Sequence, residues 1–98
     1  MAQEIYLIDN GNELKNKLIQ LFEKEREYKF KKAKTTEIES VLKNIPALII
    51  INEDGIGEDI IHLCNHIREN EDNSITPIIV ISSNKEKEHR IKILQACV

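Results

Sequence analysis

The stretch Pro46-Ala47-Leu48-Ile49-Ile50-Ile51-Asn52 decides the architecture. Five apolar residues without a polar break read as a strand buried on both faces, and Asn52 closes it with a short polar side chain. A second run, Ile5-Tyr6-Leu7-Ile8, ends in Asp9-Asn10, and a third, Pro77-Ile78-Ile79-Val80-Ile81, ends in Ser82-Ser83. Strands buried on both faces belong to parallel sheets covered by helices, and such sheets collect their chemistry outside the carboxyl ends of the strands. Asp9, Asn10, Asn52 and Ser82 are therefore expected at one rim.

Between these runs the apolar spacing becomes helical. Asn12 stands as N-cap before a stripe of Leu14, Leu18, Leu21 and Phe22, with Lys15, Lys17, Glu23 and Lys24 facing water. Tyr28 to Ala33 alternates apolar and basic residues as a half-exposed strand does. Lys29, Lys31, Lys32 and Lys34 read as its solvated edge, where lysine discourages pairing. Thr36 with Glu39 predicts a capping box for a short helix carrying Ile38, Val41, Leu42 and Ile45, which Pro46 stops. The loop Glu53-Asp54-Gly55-Ile56-Gly57 has glycines that permit positive φ, and the helix after it turns Ile60, Leu63, Cys64 and Ile67 inward. Asn70 to Thr76 is a polar connection. Ser83 with Glu86 predicts a second capping box, opening a last helix through about Ala96 whose apolar residues are Ile91, Ile93, Leu94 and Cys97. The order βαβαβαβα predicts one α/β domain over residues 1–98. It is a three-layer, doubly wound parallel sheet with spatial order 2-1-3-4, the flavodoxin-like pattern without its fifth strand.

With 98 residues the chain suits one small domain, and its formal charge of −3 argues against nucleic acid, which needs clustered cations. The start Met1-Ala2-Gln3-Glu4 is too polar for a signal peptide, and no apolar run reaches membrane-spanning length. A cytoplasmic protein is expected. Cys64 and Cys97 show neither metal-type nor redox-type spacing and read as two buried or half-buried free thiols.

Taken in order, the pieces ending in Asp9-Asn10, Asn52 and Ser82-Ser83, with the tail Arg90-Ile91-Lys92-Ile93-Leu94-Gln95-Ala96-Cys97-Val98, resemble a CheY-like receiver domain of two-component response regulators. The resemblance covers the whole chain. It implies a site in which an acidic pair after the first strand and an aspartate after the third hold Mg²⁺. That aspartate accepts a phosphoryl group, a hydroxyl after the fourth strand contacts it, and a lysine after the fifth completes the site. By position Asp9 matches the first acid and Asn10 replaces the second. Asn52 replaces the phosphoacceptor, and Ser82 matches the switch hydroxyl. The lysine has no counterpart. The chain thus reads as a degenerate, C-terminally incomplete receiver, the N-terminal part of a longer regulator.

The departures change the chemistry. An amide is a poor nucleophile toward phosphorus, and a hard dication wants carboxylate oxygens. Each charge pair lost at about 4 Å removes roughly 4 kcal/mol at an effective dielectric near 20, before desolvation. No metal and no cofactor is expected. The first reading is a phosphorylation-incompetent interaction module that meets a protein partner or output domain. The alternative is a phosphoaccepting, Mg²⁺-dependent receiver using Asp54 or Glu53. A small α/β enzyme is the third, and no nucleophile–base pair supports it. His62 and His66 share a helix face but find no third ligand, and His89 carries no signal. The loop Asp9-Asn10-Gly11-Asn12-Glu13 sets two acids where a flavin or nucleotide phosphate would lie. In the 2-1-3-4 order the apolar fourth strand is an edge, so a homodimer through strand four or helix four is expected.

Overall fold

The computed structural model describes residues 3–22 and 27–97; the expected solvent-facing Glu23 and Lys24 lie outside them. Four strands, β1 (Gln3–Ile8), β2 (Tyr28–Ala33), β3 (Leu48–Asn52) and β4 (Ile78–Ile81), form one parallel sheet in the order β2-β1-β3-β4. Helices α1 (Glu13–Phe22), α2 (Ile38–Lys43), α3 (Ile60–Glu69) and α4 (Lys87–Cys97) alternate with them. The expected α/β, flavodoxin-like order is the observed one.

Strand periodicity divides the core into two layers, because successive side chains leave opposite faces. Tyr6, Ile8, Ile49, Ile51, Ile78 and Val80 pack on α2, α3 and α4 through Val41, Leu42, Ile60, Leu63, Ile67, Ile93 and Cys97. Ile5, Leu7 and Ile50 face the other way, onto Leu14, Leu18 and Phe22 of α1. Phe22 stacks on Phe30 at 5.5 Å between ring centroids.

Several local expectations change. Leu21 is exposed, since Leu14, Leu18 and Phe22 already fill the contact with the sheet. Asn12 precedes α1, but its side-chain oxygen accepts from Lys32 Nζ at 2.9 Å. A 3₁₀ turn, Thr35–Glu37, leads into α2, and the reciprocal contact there is Glu37 Oε1 accepting from the Lys34 N–H, two residues earlier than the expected Thr36–Glu39 box. Ile45 ends α2 in the left-handed region at φ 46° and is exposed. Asp59 caps α3 by accepting from the Ile61 N–H at 2.9 Å. In α4 it is Ile93, Ala96 and Cys97 that turn inward, while Ile91 and Leu94 face solvent.

The cysteines are the largest correction. Cys64 on α3 and Cys97 at the end of α4 are joined in a disulfide, not left as free thiols. The two helices pack side by side and turn both residues inward, which brings their Cα atoms to 5.0 Å, inside the range a disulfide spans.

Candidate functional site

Register delivers the candidate residues to one rim. Ile8 of β1 lies opposite Ile51 of β3, and Asn52 lies opposite Ile81 of β4, so Asp9, Asn52 and Ser82 leave adjacent strand ends on the same edge. Asp9 is only 2 % exposed, yet it is fully partnered: Oδ1 accepts from the Gly11 N–H at 2.9 Å and Oδ2 from Asn52 Nδ2 at 3.0 Å. A buried carboxylate is tolerated when donors of this kind surround it.

Asn10 belongs to the same rim but turns from Asp9. Its amide nitrogen donates to the Ile56 carbonyl at 2.8 Å, and its amide oxygen accepts from the Thr35 N–H at 3.0 Å. The Asn10 backbone N–H donates to the Gly55 carbonyl at 3.1 Å. An amide serves both contacts, where a carboxylate would meet the Ile56 carbonyl with like partial charge. Asn10 thus ties the loops after β1, β2 and β3 together.

Gly55 closes the rim from above. A Cβ there would lie 2.1 Å from Asp9 Oδ1 and 3.1 Å from Asn52 Nδ2. It is this close approach, rather than a left-handed backbone, that demands glycine; Gly57, at φ 67°, is the one glycine of the loop with positive φ.

The two acids after Asn52 point away from Asp9, one to the loop after β4 and one to α4. Asp54 accepts from both the backbone N–H and the hydroxyl of Ser83, each at 3.0 Å. Glu53 Oε2 lies 2.6 Å from His89 Nε2, while its Oε1 is buried without a partner among the described residues. The Ser82 hydroxyl accepts from the Asn84 N–H at 3.0 Å, and Asn84 in turn accepts from the Glu86 N–H at 2.9 Å. Ser83 therefore serves Asp54 instead of the expected box with Glu86. Among the described residues no three His, Cys, Asp or Glu side chains converge as a metal group would require. His66 pairs with Glu39, and His62 is exposed.

A second network lay outside the sequence reading. Tyr6 accepts from Asn44 Nδ2 at 2.8 Å, and Lys31 donates to Glu4 at 3.1 Å. The Tyr6 hydroxyl, and after it the Lys31 ammonium, hold the Glu4 carboxyl below its ordinary pKa. Burial, and after it the Glu4 carboxylate, push the Tyr6 phenol up.

No family model matches the chain, and no curated protein does. Solved structures do. The signal receiver domain of a DNA-binding response regulator from Colwellia psychrerythraea 34H superposes with a TM-score of 0.83 at 18% identity, over 96% of this chain and 79% of that one. A signal receiver domain of a two-component histidine kinase from Clostridium thermocellum gives 0.81 at 22%, over 100% and 82%. The receiver domain of a sensor histidine kinase from Pseudomonas aeruginosa PAO1, with magnesium coordinated in its active-site cleft, gives 0.73 at 20%, over 98% and 80%. At these identities the likeness establishes the fold, and the fold is that of CheY-like receiver domains.

Proposed function

We propose that the chain is a receiver-type module of two-component signalling that neither binds Mg²⁺ at its rim nor accepts a phosphoryl group, and that works by protein contact. The observation that carries this reading is the Asp9–Asn52 hydrogen bond beneath Gly55. Both Asp9 oxygens are engaged by donors, the phosphoacceptor position holds an amide, and loop backbone occupies the space in front of Asp9. One carboxylate with two amides does not fit a hard dication, which needs charged oxygens and room for water. The alternative acids are committed elsewhere, Asp54 to Ser83 and Glu53 to His89.

The contact surface in this proposal is the open β4 edge together with the outer side of α4. Among the described residues β4 hydrogen-bonds only to β3; Ile79 is exposed on the face of the sheet that carries α1, and Ile91 and Leu94 are exposed on α4. An open apolar edge of this kind invites strand pairing or a helix face. The partner is an output domain, a kinase-type protein or a second copy, and the proposed compartment is the cytoplasm. No helix among the described residues is long and apolar enough to cross a membrane.

Treatment with acetyl phosphate, or with beryllofluoride, each with Mg²⁺, tests the first part by intact mass and amide NMR. The expected result is no mass gain and no shift at Asp9, Asn52 or Ser82. A mass gain mapped to Asp54 or Glu53 would replace this reading with the phosphoaccepting one. Sedimentation over a concentration series tests a homodimer: association should weaken in Ile79→Lys, and a monomer throughout leaves only the hetero-partners.

A further inference from the structure

The disulfide between Cys64 and Cys97 ties the middle of α3 to the last turn of α4, and both residues are fully buried. We propose that this bond is a reversible redox clasp. Exchange with a dithiol reductant releases the C-terminal part of α4 from α3 and uncovers the apolar surface beneath, while the sheet stays folded.

The helix has little else to hold it there. Cys97 is the one buried residue of α4; Ile93 and Ala96 are half-buried, and Ile91 and Leu94 face solvent. The first turns have a separate attachment through His89 and Glu53. At the far end Arg68 Nη2 donates to the Cys97 carbonyl at 2.6 Å. That guanidinium does not depend on α4, because Nη1 also donates to the carbonyls of Thr76 at 2.6 Å and Asn73 at 3.2 Å. The core strands β1 and β3 likewise keep α2 and α3 on this face, through Leu42, Ile60, Leu63 and Ile67, and α1 on the other. Losing α4 uncovers Val80 and the Cys64 side of α3 without breaking a strand pair.

The exchange is balanced within the two partners. A thiolate of the reductant attacks one sulfur of the pair, forms a mixed disulfide and expels the other cysteine as a thiolate. The reductant's second thiolate then displaces the first cysteine, and the reductant leaves as a disulfide. Two electrons and two protons pass from the dithiol to Cys64 and Cys97. Because both sulfurs are buried, attack follows an opening of α4, so reduction and helix release are linked. The bond joins residues 33 positions apart and tethers the end of α4 to α3, so its reduction widens the range of positions open to the released helix. In a reducing compartment such a bond is transient, which suits a sensor better than a staple.

Hydrogen exchange read by mass spectrometry, on the air-oxidised chain and after dithiothreitol, decides the matter. The expected result is at least tenfold faster exchange in α4 peptides of the reduced form, with β1 and β3 protection unchanged. Equal α4 protection in both forms overturns the clasp, and so does equal loss of protection in β1 and β3, which would make the bond a staple of the whole fold. A chain whose cysteines both alkylate after air oxidation, or whose bond resists dithiothreitol until denatured, also overturns it. Cys64→Ser should show the fast α4 exchange with or without reductant, and the wild-type pair of measurements stands if that variant does not fold.

Discussion

The Asn52 amide nitrogen lies 3.0 Å from Asp9 Oδ2 and faces it as a donor. Two carboxylates at that separation would repel, whereas an amide and an acid complement one another without a cation between them. Asn52→Asp removes the donor and sets a second negative charge beside Asp9. We expect a loss of about 2–3 kcal/mol at neutral pH. The deficit shrinks as the pH falls, because like charge raises one carboxyl's pKa and its proton then restores a donor between the oxygens. Urea unfolding at pH 7 and pH 5 measures both effects.

Gly55→Ala should be costly although its backbone is not left-handed. The new methyl would meet Asp9 Oδ1 at 2.1 Å, so the loop or the carboxylate must move. Overpacking of this kind costs about 1–3 kcal/mol. Amide shifts at Asp9, Gly11 and Asn52 should change most in the NMR spectrum.

Asn73 is fully buried in the connection before β4. Its Nδ2 donates to the Leu42 carbonyl and to Asn70 Oδ1, each at 3.0 Å, and its Oδ1 accepts from the Thr76 hydroxyl at 3.1 Å. Asn73→Ala leaves the buried Thr76 hydroxyl unpaired, while the Leu42 carbonyl keeps the Ile45 N–H, and about 1–3 kcal/mol should be lost in thermal or urea unfolding.

Ile45→Gly should stabilise. A β-branched side chain at φ 46° carries about 1–2 kcal/mol of strain, and glycine's added chain entropy takes back about 0.5–1 kcal/mol. The Ile45 side chain is 55% exposed, so the burial it forfeits caps the gain. A net gain of at most about 0.5 kcal/mol should appear as a higher urea midpoint with an unchanged slope.

Glu4 sets an acid limb of stability. Its folded pKa is depressed, first by the Tyr6 hydroxyl and then by Lys31, so its contribution is complete above the ordinary glutamate pKa. That contribution is lost as the pH falls through the depressed value. Glu4→Gln should flatten the unfolding curve over this acidic range and leave the slope between pH 6 and 8 unchanged.

The sheet was legible because Ile5–Ile8, Ala47–Ile51 and Ile78–Ile81 are uninterrupted apolar runs, and their order with the helices leaves few topologies. Asp9 and Asn52 were legible as neighbours for the same reason, since each closes a strand paired to the other's. What escaped depends on loop path and helix contact. Whether Asp54 faces Asp9 or Ser83 is fixed by a 3₁₀ turn over Glu53–Gly55, which a run of polar and glycine residues does not specify. His89 gains its partner only because α4 starts beside that turn. The Cys64–Cys97 bond needed the side-by-side contact of α3 and α4, and the near-adjacent Ile91, Ile93 and Leu94 define no single inward stripe to reveal it. Asn73 looked like one more polar loop residue, and burial of a loop amide leaves no trace in spacing.

The two borders of the sheet are chemically unequal, and this limits how copies could grow together. The border strand β2 carries Lys29, Lys31 and Lys32, whereas the border strand β4 carries isoleucine at Ile78, Ile79 and Ile81. Stacking of one copy's β4 on the next copy's β2 would build an endless ribbon, and the lysine border opposes it. β4 meeting β4 across a two-fold axis uses up both reactive borders at once, so assembly by that route halts at a pair and gives no filament.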